Sequence, residues 1–199
     1  MKQLKHFLTL ALTICVTIGF LPLICCNNDD PTGDETTTQL GGTGPGGGKV
    51  FYYSETGFTM TDNGQVCHYL EAAPNDMPTT LQWASSDYYS TDIAGTGTAI
   101  GAGRKNTALI LATDANAPAA KACSNYQGGG RSDWFLPSKD ELNLLYENRA
   151  SVGNTTANWY WSSSQDDHDH AWGQDFFNGY ELDYFKDYSN YNVRAVRAF

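Results

Sequence analysis

Five consecutive residues, Asp166-Asp167-His168-Asp169-His170, combine the side chains that hold metal ions. In an extended segment alternate residues share a face, so His168 and His170 with adjacent carboxylates could offer nitrogen and oxygen donors to one ion. The run lacks a third well-spaced histidine and the spacing of a calcium loop, and a solvated acidic loop is the plainer expectation. Ser162-Ser163-Ser164 supplies hydroxyls, but no glycine elbow flanks them and no base partner is evident, so strand-edge serines are expected instead of a nucleophile. Gly95-Thr96-Gly97 with Gly101 and Gly103 is glycine-rich. It misses the Gly-Lys-Ser/Thr ending of a phosphate loop and the dinucleotide spacing, which leaves a structural loop leading into a helix. His68 stands alone on an apparent strand and reads as a structural histidine.

The elements that must position these residues read as α+β. Val50-Phe51-Tyr52-Tyr53 and residues 65–72 are rich in aromatic and β-branched side chains and read as strands. Asn106 is placed to cap a helix over 107–113, and Asn116 followed by Pro118 to start another through Cys123. Ser138-Lys139-Asp140-Glu141 has the form of a capping box. Leu142, Leu145 and Tyr146 follow at the spacing of one helical face. After Arg149 the chain reads as strands and turns.

The 199 residues carry a formal net charge of −10, with 12 Lys+Arg against 22 Asp+Glu. Such a chain has no basic surface with which to displace phosphate counterions, and a nucleic-acid partner is excluded on that ground. With 41% apolar and 13% aromatic residues it has ample surface to bury, unlike a disordered chain. Lys2 and Lys5 precede an uncharged apolar run ending at Cys25 and Cys26, the pattern of an export signal over residues 1–26. Leu23-Ile24-Cys25-Cys26 resembles a loose bacterial lipobox with Cys26 as the lipid-modified residue, and an uncleaved anchor helix is the other reading. Residues 27–48, rich in Gly, Thr and Asp, read as a flexible linker. The folded unit is then 49–199. Its two cysteines, Cys67 and Cys123, are either a disulfide in an oxidising compartment or two buried thiols.

Residues 165–192 concentrate the acidity, with six Asp and one Glu against one Lys. Asn178-Gly179 is a strong two-residue turn signal between two alternating runs. A turn there pairs Phe177 with Tyr180, Asp175 with Leu182 and Gly173 with Tyr184 on one face. Trp172, Gln174 and Phe176 lie on the other, opposite Glu181 and Asp183, and suit a core. The first face mixes Tyr, Phe, Leu, Asp and Gly, a composition typical of adaptable binding surfaces.

Four stretches resemble a known family: Val50-Phe51-Tyr52-Tyr53; Lys121-Ala122-Cys123 leading to Ser132-Asp133-Trp134-Phe135-Leu136-Pro137-Ser138; Tyr160-Trp161-Ser162-Ser163-Ser164; and Val193-Arg194-Ala195-Val196-Arg197. They look like the C-terminal domain family of Legionella collagen-like protein. The resemblance implies a C-type-lectin-like fold, with two or three helices, a small antiparallel sheet, paired termini and a loop-rich C-terminal half that presents a ligand-binding surface. The chain is also similar to the formylglycine-generating enzymes, but it has no cysteine after Cys123 to supply their late active-site pair, so that oxidase chemistry is not implied.

The ending Val193-Arg194-Ala195-Val196-Arg197-Ala198-Phe199, behind a stretch rich in Asn, Asp, Tyr, His and Ser, is similar to the Treponema variable protein type. These are lipoproteins diversified by retroelements that mutate template adenines. An asparagine codon AAY altered at its first two bases reaches Asp, Tyr, His, Ser, Phe, Leu or Gly, but never Lys, Glu, Gln, Trp or Met. Gly173, Asp175, Phe177, Tyr180, Leu182 and Tyr184 fall in the reachable set. So do Asp166, Asp167, His168, Asp169 and His170, together with Asp187, Tyr188, Ser189, Asn190, Tyr191 and Asn192. Asn178, Asp183 and Phe185 complete the candidate ligand-binding residues. Trp172, Gln174, Glu181 and Lys186 are unreachable.

The sequence thus leads to an expectation of a non-enzymatic, cofactor-free binding module, tethered at the outer membrane or cell surface. Phe177 and the tyrosines would give rigid contact area, with Asp and Asn giving hydrogen bonds to a protein or glycan on another cell or phage. A fixed-sequence adhesin of the same fold is the alternative, and a metal-dependent hydrolase using the Asp/His cluster a more distant one.

Overall fold

The run Lys49–Thr59 forms strand β1 and Val66–Ala72 forms β2, which pair antiparallel from Lys49↔Ala72 to Thr59↔Val66 with an irregularity between Tyr53 and Phe58. The computed structural model describes residues 39–199. The last strand, β6 (Val196–Ala198), pairs antiparallel with the other edge of β2, so the two ends of the domain meet in one three-stranded sheet, β1-β2-β6. Four α-helices lie between the sheets in sequence: α1 (Gly103–Thr113), α2 (Pro118–Ser124), α3 (Lys139–Glu147) and the single turn α4 (Arg149–Val152). A second antiparallel sheet, β3-β4-β5, follows from Trp159–Gln165, His170–Asp175 and Glu181–Phe185. The class is α+β, as expected, with one more helix and one more sheet than the sequence suggested.

Strand β3 explains how the halves join. Tyr160 packs with Phe51, Leu70, Leu142 and Phe176 in one core cluster, while Trp161, next along the strand, packs with Trp83, Ile110, Ala120 and Val193 in the other. Side chains alternate across a strand, so a strand buried on both faces is apolar at consecutive positions. The three serines that follow are buried as well. Ser162, Ser163 and Ser164 donate their hydroxyls to the carbonyls of Trp172, Pro137 and Gly97. They are core hydroxyls satisfied by backbone, which corrects the expectation of strand-edge serines.

The capping box is formed: Glu141 N–H donates to Ser138 Oγ, and Ser138 N–H donates to Glu141 Oε2 at 2.7 Å. Asn106 does not cap. Its side chain sits inside α1 and brackets Gly97, accepting from Gly97 N–H and donating to Gly97 C=O, so the helix starts at Gly103. The glycine-rich 95–103 segment is the structural loop expected.

One further expectation is corrected, and of the two readings open for the cysteines the mutual disulfide falls. The end of the supposed linker is ordered: Thr43 bridges Lys49, and the N–H groups of Gly46 and Gly48 donate to the buried Glu71 carboxylate at 2.9 and 3.0 Å. The carboxylate holds this arm because Arg197 compensates its charge at 2.9 Å. Cys67 and Cys123 are not joined to each other; they lie in different core clusters, and burial pushes the Cys123 thiol well above its ordinary value. The signal segment, the lipobox with Cys26 and residues 27–38 lie outside the described residues. Among the described residues no helix is long and apolar enough to cross a membrane.

Candidate functional site

The hairpin β4–β5 is the most apolar exposed part of the described structure. Phe177, Tyr180, Leu182 and Phe185 are 74%, 71%, 44% and 53% exposed, and patches of large apolar side chains rimmed by polar ones mark interaction sites.

Its register differs from the sequence expectation by two residues. Gly173 pairs with Leu182, Ala171 with Tyr184 and His170 with Phe185. The two-residue turn is replaced by a four-residue loop, closed by Asp175 N–H to Tyr180 C=O at 2.8 Å and Gly179 N–H to Asp175 C=O at 2.7 Å. The cause is Phe176, which is drawn into the core against Tyr160 and Tyr146 and cannot continue the ladder. A shift of two keeps every side chain on its face, so the two expected sets of residues survive. Within the loop, Asp175 Oδ1 accepts from Phe177 N–H and Asn178 Oδ1 accepts from Tyr180 N–H, so both act on the backbone. Gly179 has φ +85° and faces the Tyr146 ring, where a Cβ would lie 2.7 Å from it.

The face carrying Gly173 is not uniformly exposed, which corrects the site as read from sequence. Gly173 and Tyr191 are buried. Tyr191 lies stacked on Trp159 at 5.3 Å between ring centroids, against Trp161 at 4.2 Å, and within reach of Tyr184 and Tyr188. Desolvation pushes the Tyr191 hydroxyl well above its usual range. Tyr184 and Tyr188 are half-buried and meet edge to face at 4.7 Å, forming the visible rim of this aromatic stack. Trp159 belongs to the same rim and was not singled out from sequence. Its place two residues before Trp161, on the same strand face, was the signal available.

On the opposite face Trp172 lies under Lys139 Nζ, 3.7 Å from the ring centroid, and Lys139 also pairs with Glu181 at 3.3 Å. Gln174 is buried and donates to Asn143 at 2.8 Å. Asn143, Asn178, Gly179, Tyr180 and Glu181 line a shallow depression between α3 and the hairpin loop.

The loop 166–170 is built by its own carboxylates. Asp167 Oδ1 accepts from the N–H groups of Asp169 and His170 and contacts His170 Nδ1 at 2.9 Å, and these bonds hold the carboxyl down to about 2. His168 Nε2 pairs with Asp169 at 3.0 Å. Each histidine has its own aspartate, and among the described residues no group of three donors converges as a metal site. Behind the loop lies Lys186, fully buried. Its ammonium donates to Thr91 C=O, Gln165 Oε1 and His168 C=O at 2.8, 2.8 and 2.6 Å, and desolvation lowers its pKa to about 8 against the pull of Asp167, Asp92 and Asp169. Lys186 is thus the internal post on which the loop and the end of β5 are hung.

The remaining candidates, Asp183, Asp187, Ser189, Asn190 and Asn192, are exposed or half-exposed around the aromatic rim. Asn192 donates to Thr156, and Gln82 reaches across to donate to Asp187 C=O at 2.7 Å. This arrangement of exposed rings, short polar side chains and a fixed backbone is suited to recognition, since the rings lose little rotamer freedom on contact. A comparison with curated protein sequences finds no match. A family model does match, over residues 72–197, and it covers α1 to α4, the whole second sheet and most of β6. The chain belongs to the Lcl C-terminal domain family, which supports a ligand-binding domain with the C-type-lectin-like class of fold described above.

Proposed function

We propose that this protein is a surface-tethered, non-enzymatic binding lipoprotein whose β4–β5 hairpin and flanking loops are diversified by a retroelement to recognise a protein or glycan on another cell or phage. The observation that carries the reading is how exposure sorts within residues 165–192. Of the residues an altered asparagine codon cannot reach, Lys186 and Gln174 are buried, and Gln165 and Trp172 are half-buried and held by Lys186 and Lys139. Glu181 is the exposed exception, and it pairs with Lys139. The reachable residues Asp166, Asp167, His168, Phe177, Asn178, Tyr180, Leu182, Phe185, Asp187, Ser189 and Asn190 are exposed. Four of the five unreachable positions are thus framework and most exposed positions are reachable, while the reachable Gly173, Phe176 and Tyr191 are buried and belong to the framework as well.

Binding is by contact: Phe177, Tyr180 and Leu182 supply apolar area, and the surrounding Asp and Asn side chains supply acceptors and donors. The local acidity favours cationic or neutral ligands over sulfated glycans. Two outcomes test the reading. An adjacent near-copy of the coding segment for residues 165–192, differing only at adenines and beside a reverse transcriptase gene, is expected. Its absence leaves a fixed-sequence adhesin. Loss of cell or phage binding in the double variant Phe177→Ser, Tyr180→Ser, with folding retained, is the second expectation. Unchanged binding would refute this surface as the site.

A further inference from the structure

Strand β5 is the outer strand of its sheet, paired with β4 and with no strand beyond it among the described residues. In an antiparallel ladder the backbone groups of successive residues point alternately toward and away from the neighbour. The bonds Asp175 N–H to Tyr180 C=O and Lys186 N–H to Asp169 C=O fix the phase at both ends. Leu182 and Tyr184 therefore bond inward to β4, and Glu181, Asp183 and Phe185 direct their backbone groups outward. Phe185 C=O accepts from Tyr188 N–H. The N–H and C=O groups of Glu181 and Asp183 and the N–H of Phe185 are left as an open edge.

Open edges invite any strand, including a second copy of the same chain. Here side chains decide. In an antiparallel pairing of β5 with itself centred on its middle residue, Asp183 would face Asp183 directly, and like charges opposite one another destabilise a ladder. Glu181 is already neutralised by Lys139, whereas Asp183 makes no ion pair or side-chain hydrogen bond among the described residues. The surrounding segment 165–192 adds five more aspartates against one lysine, itself buried. Leu182 points to the other face and is 44% exposed.

We infer that the β5 edge receives an extended segment of a partner protein by strand addition, with a lysine or arginine opposite Asp183 and apolar residues opposite Leu182 and Tyr184. This deepens, and rests on, the proposed reading of the hairpin as a binding surface. Main-chain bonds to Glu181, Asp183 and Phe185 give the affinity, and the alternation of charge and apolarity gives the register. Because the backbone groups are the same whatever the side chains, such an edge would keep its docking mode while neighbouring residues change.

The test uses the full chain in detergent and a fluorescent peptide of alternating Lys and Val, with a block peptide of identical composition and an alternating peptide N-methylated at every second residue as controls. Saturable binding of the alternating peptide is expected. The block and N-methylated peptides should bind about tenfold more weakly, and Asp183→Asn should weaken the alternating peptide about threefold, the size of one cross-strand charge pair. Equal binding of the block peptide would reduce the effect to bulk charge and overturn the inference. So would indifference to N-methylation, or a chain that dimerises through β5 in sedimentation. The cell-binding assay of Phe177→Ser, Tyr180→Ser separates the two claims. If that variant loses cell binding while the peptides do not bind, strand addition fails and the binding surface stands.

Discussion

The Tyr191 ring lies so close over Gly173 that a Cβ added there would sit 2.7 Å from Tyr191 Cε2. Both residues belong to the chemically reachable set, yet they form the floor of the aromatic stack and not its contact surface. Gly173→Ala should cost about 1–3 kcal/mol, the usual penalty for overpacking a filled core. Tyr180→Ser, on the same hairpin but 71% exposed, should change stability by less than about 0.5 kcal/mol. Urea denaturation of the two variants checks the pair. If residues 165–192 vary between copies, Gly173 and Tyr191 are expected to stay constant while Tyr180, Leu182 and Phe177 change.

Replacing Lys186 by Met keeps the length of the side chain and deletes the ammonium. Thr91 C=O, Gln165 Oε1 and His168 C=O would then lose a charged donor inside the protein. Hydrogen bonds to charged groups contribute about 1.5–3 kcal/mol each, so a loss of about 3 kcal/mol or more is expected. Amide exchange should accelerate around His168 to His170 and Ile93 before it does in β1 or β2. Unchanged exchange there would show that the loop is held by its Asp167 turn alone.

Glu141 gives a pH signature. Burial raises its carboxyl from the ordinary 4.5 to about 7, although the amides of Ser138 and Gly101 pull the other way. Between those values the folded chain keeps a proton that the unfolded chain releases, so this group's contribution is fully present below about pH 4.5 and is lost as pH rises through about 7. The span is worth up to about 3 kcal/mol. Denaturation at pH 5 and pH 8 should show the parent losing more stability over that interval than Glu141→Gln, which cannot titrate. Equal losses would mean that the carboxyl is ionised throughout.

Removing the charge of Glu71 should release the N-terminal arm. Glu71→Gln keeps an acceptor for Gly46 N–H but breaks the pair with Arg197, which retains Asp133 at the other end of its guanidinium. Breaking a buried pair costs about 3–5 kcal/mol when the remaining charge is stranded, and less here because Asp133 still compensates it. New protease cleavage between Gly44 and Gly48 is the expected readout. Its absence would mean that the bridge of Thr43 to Lys49 holds the arm without the carboxylate.

Local rules alone were enough for several features: β1 and β2, the Ser138–Glu141 box, the apolar face of α3, the family and the two faces of the hairpin. These follow from periodicity, capping chemistry and motif, each encoded within a few neighbouring residues. Which reachable residues touch solvent was decided only in three dimensions. Tyr191 and Tyr180 are the same residue type in the same segment; one is buried because Trp159 and Trp161, thirty residues earlier, stack on it, and the other has nothing above it. Likewise the turn moved because Phe176 gains more by packing on Tyr160 than by extending the ladder. The Gly44 to Gly48 arm reads as linker by composition and is ordered because Glu71 waits beneath it. Long-range burial of this kind depends on contacts between residues far apart in the chain, and no local pattern records them.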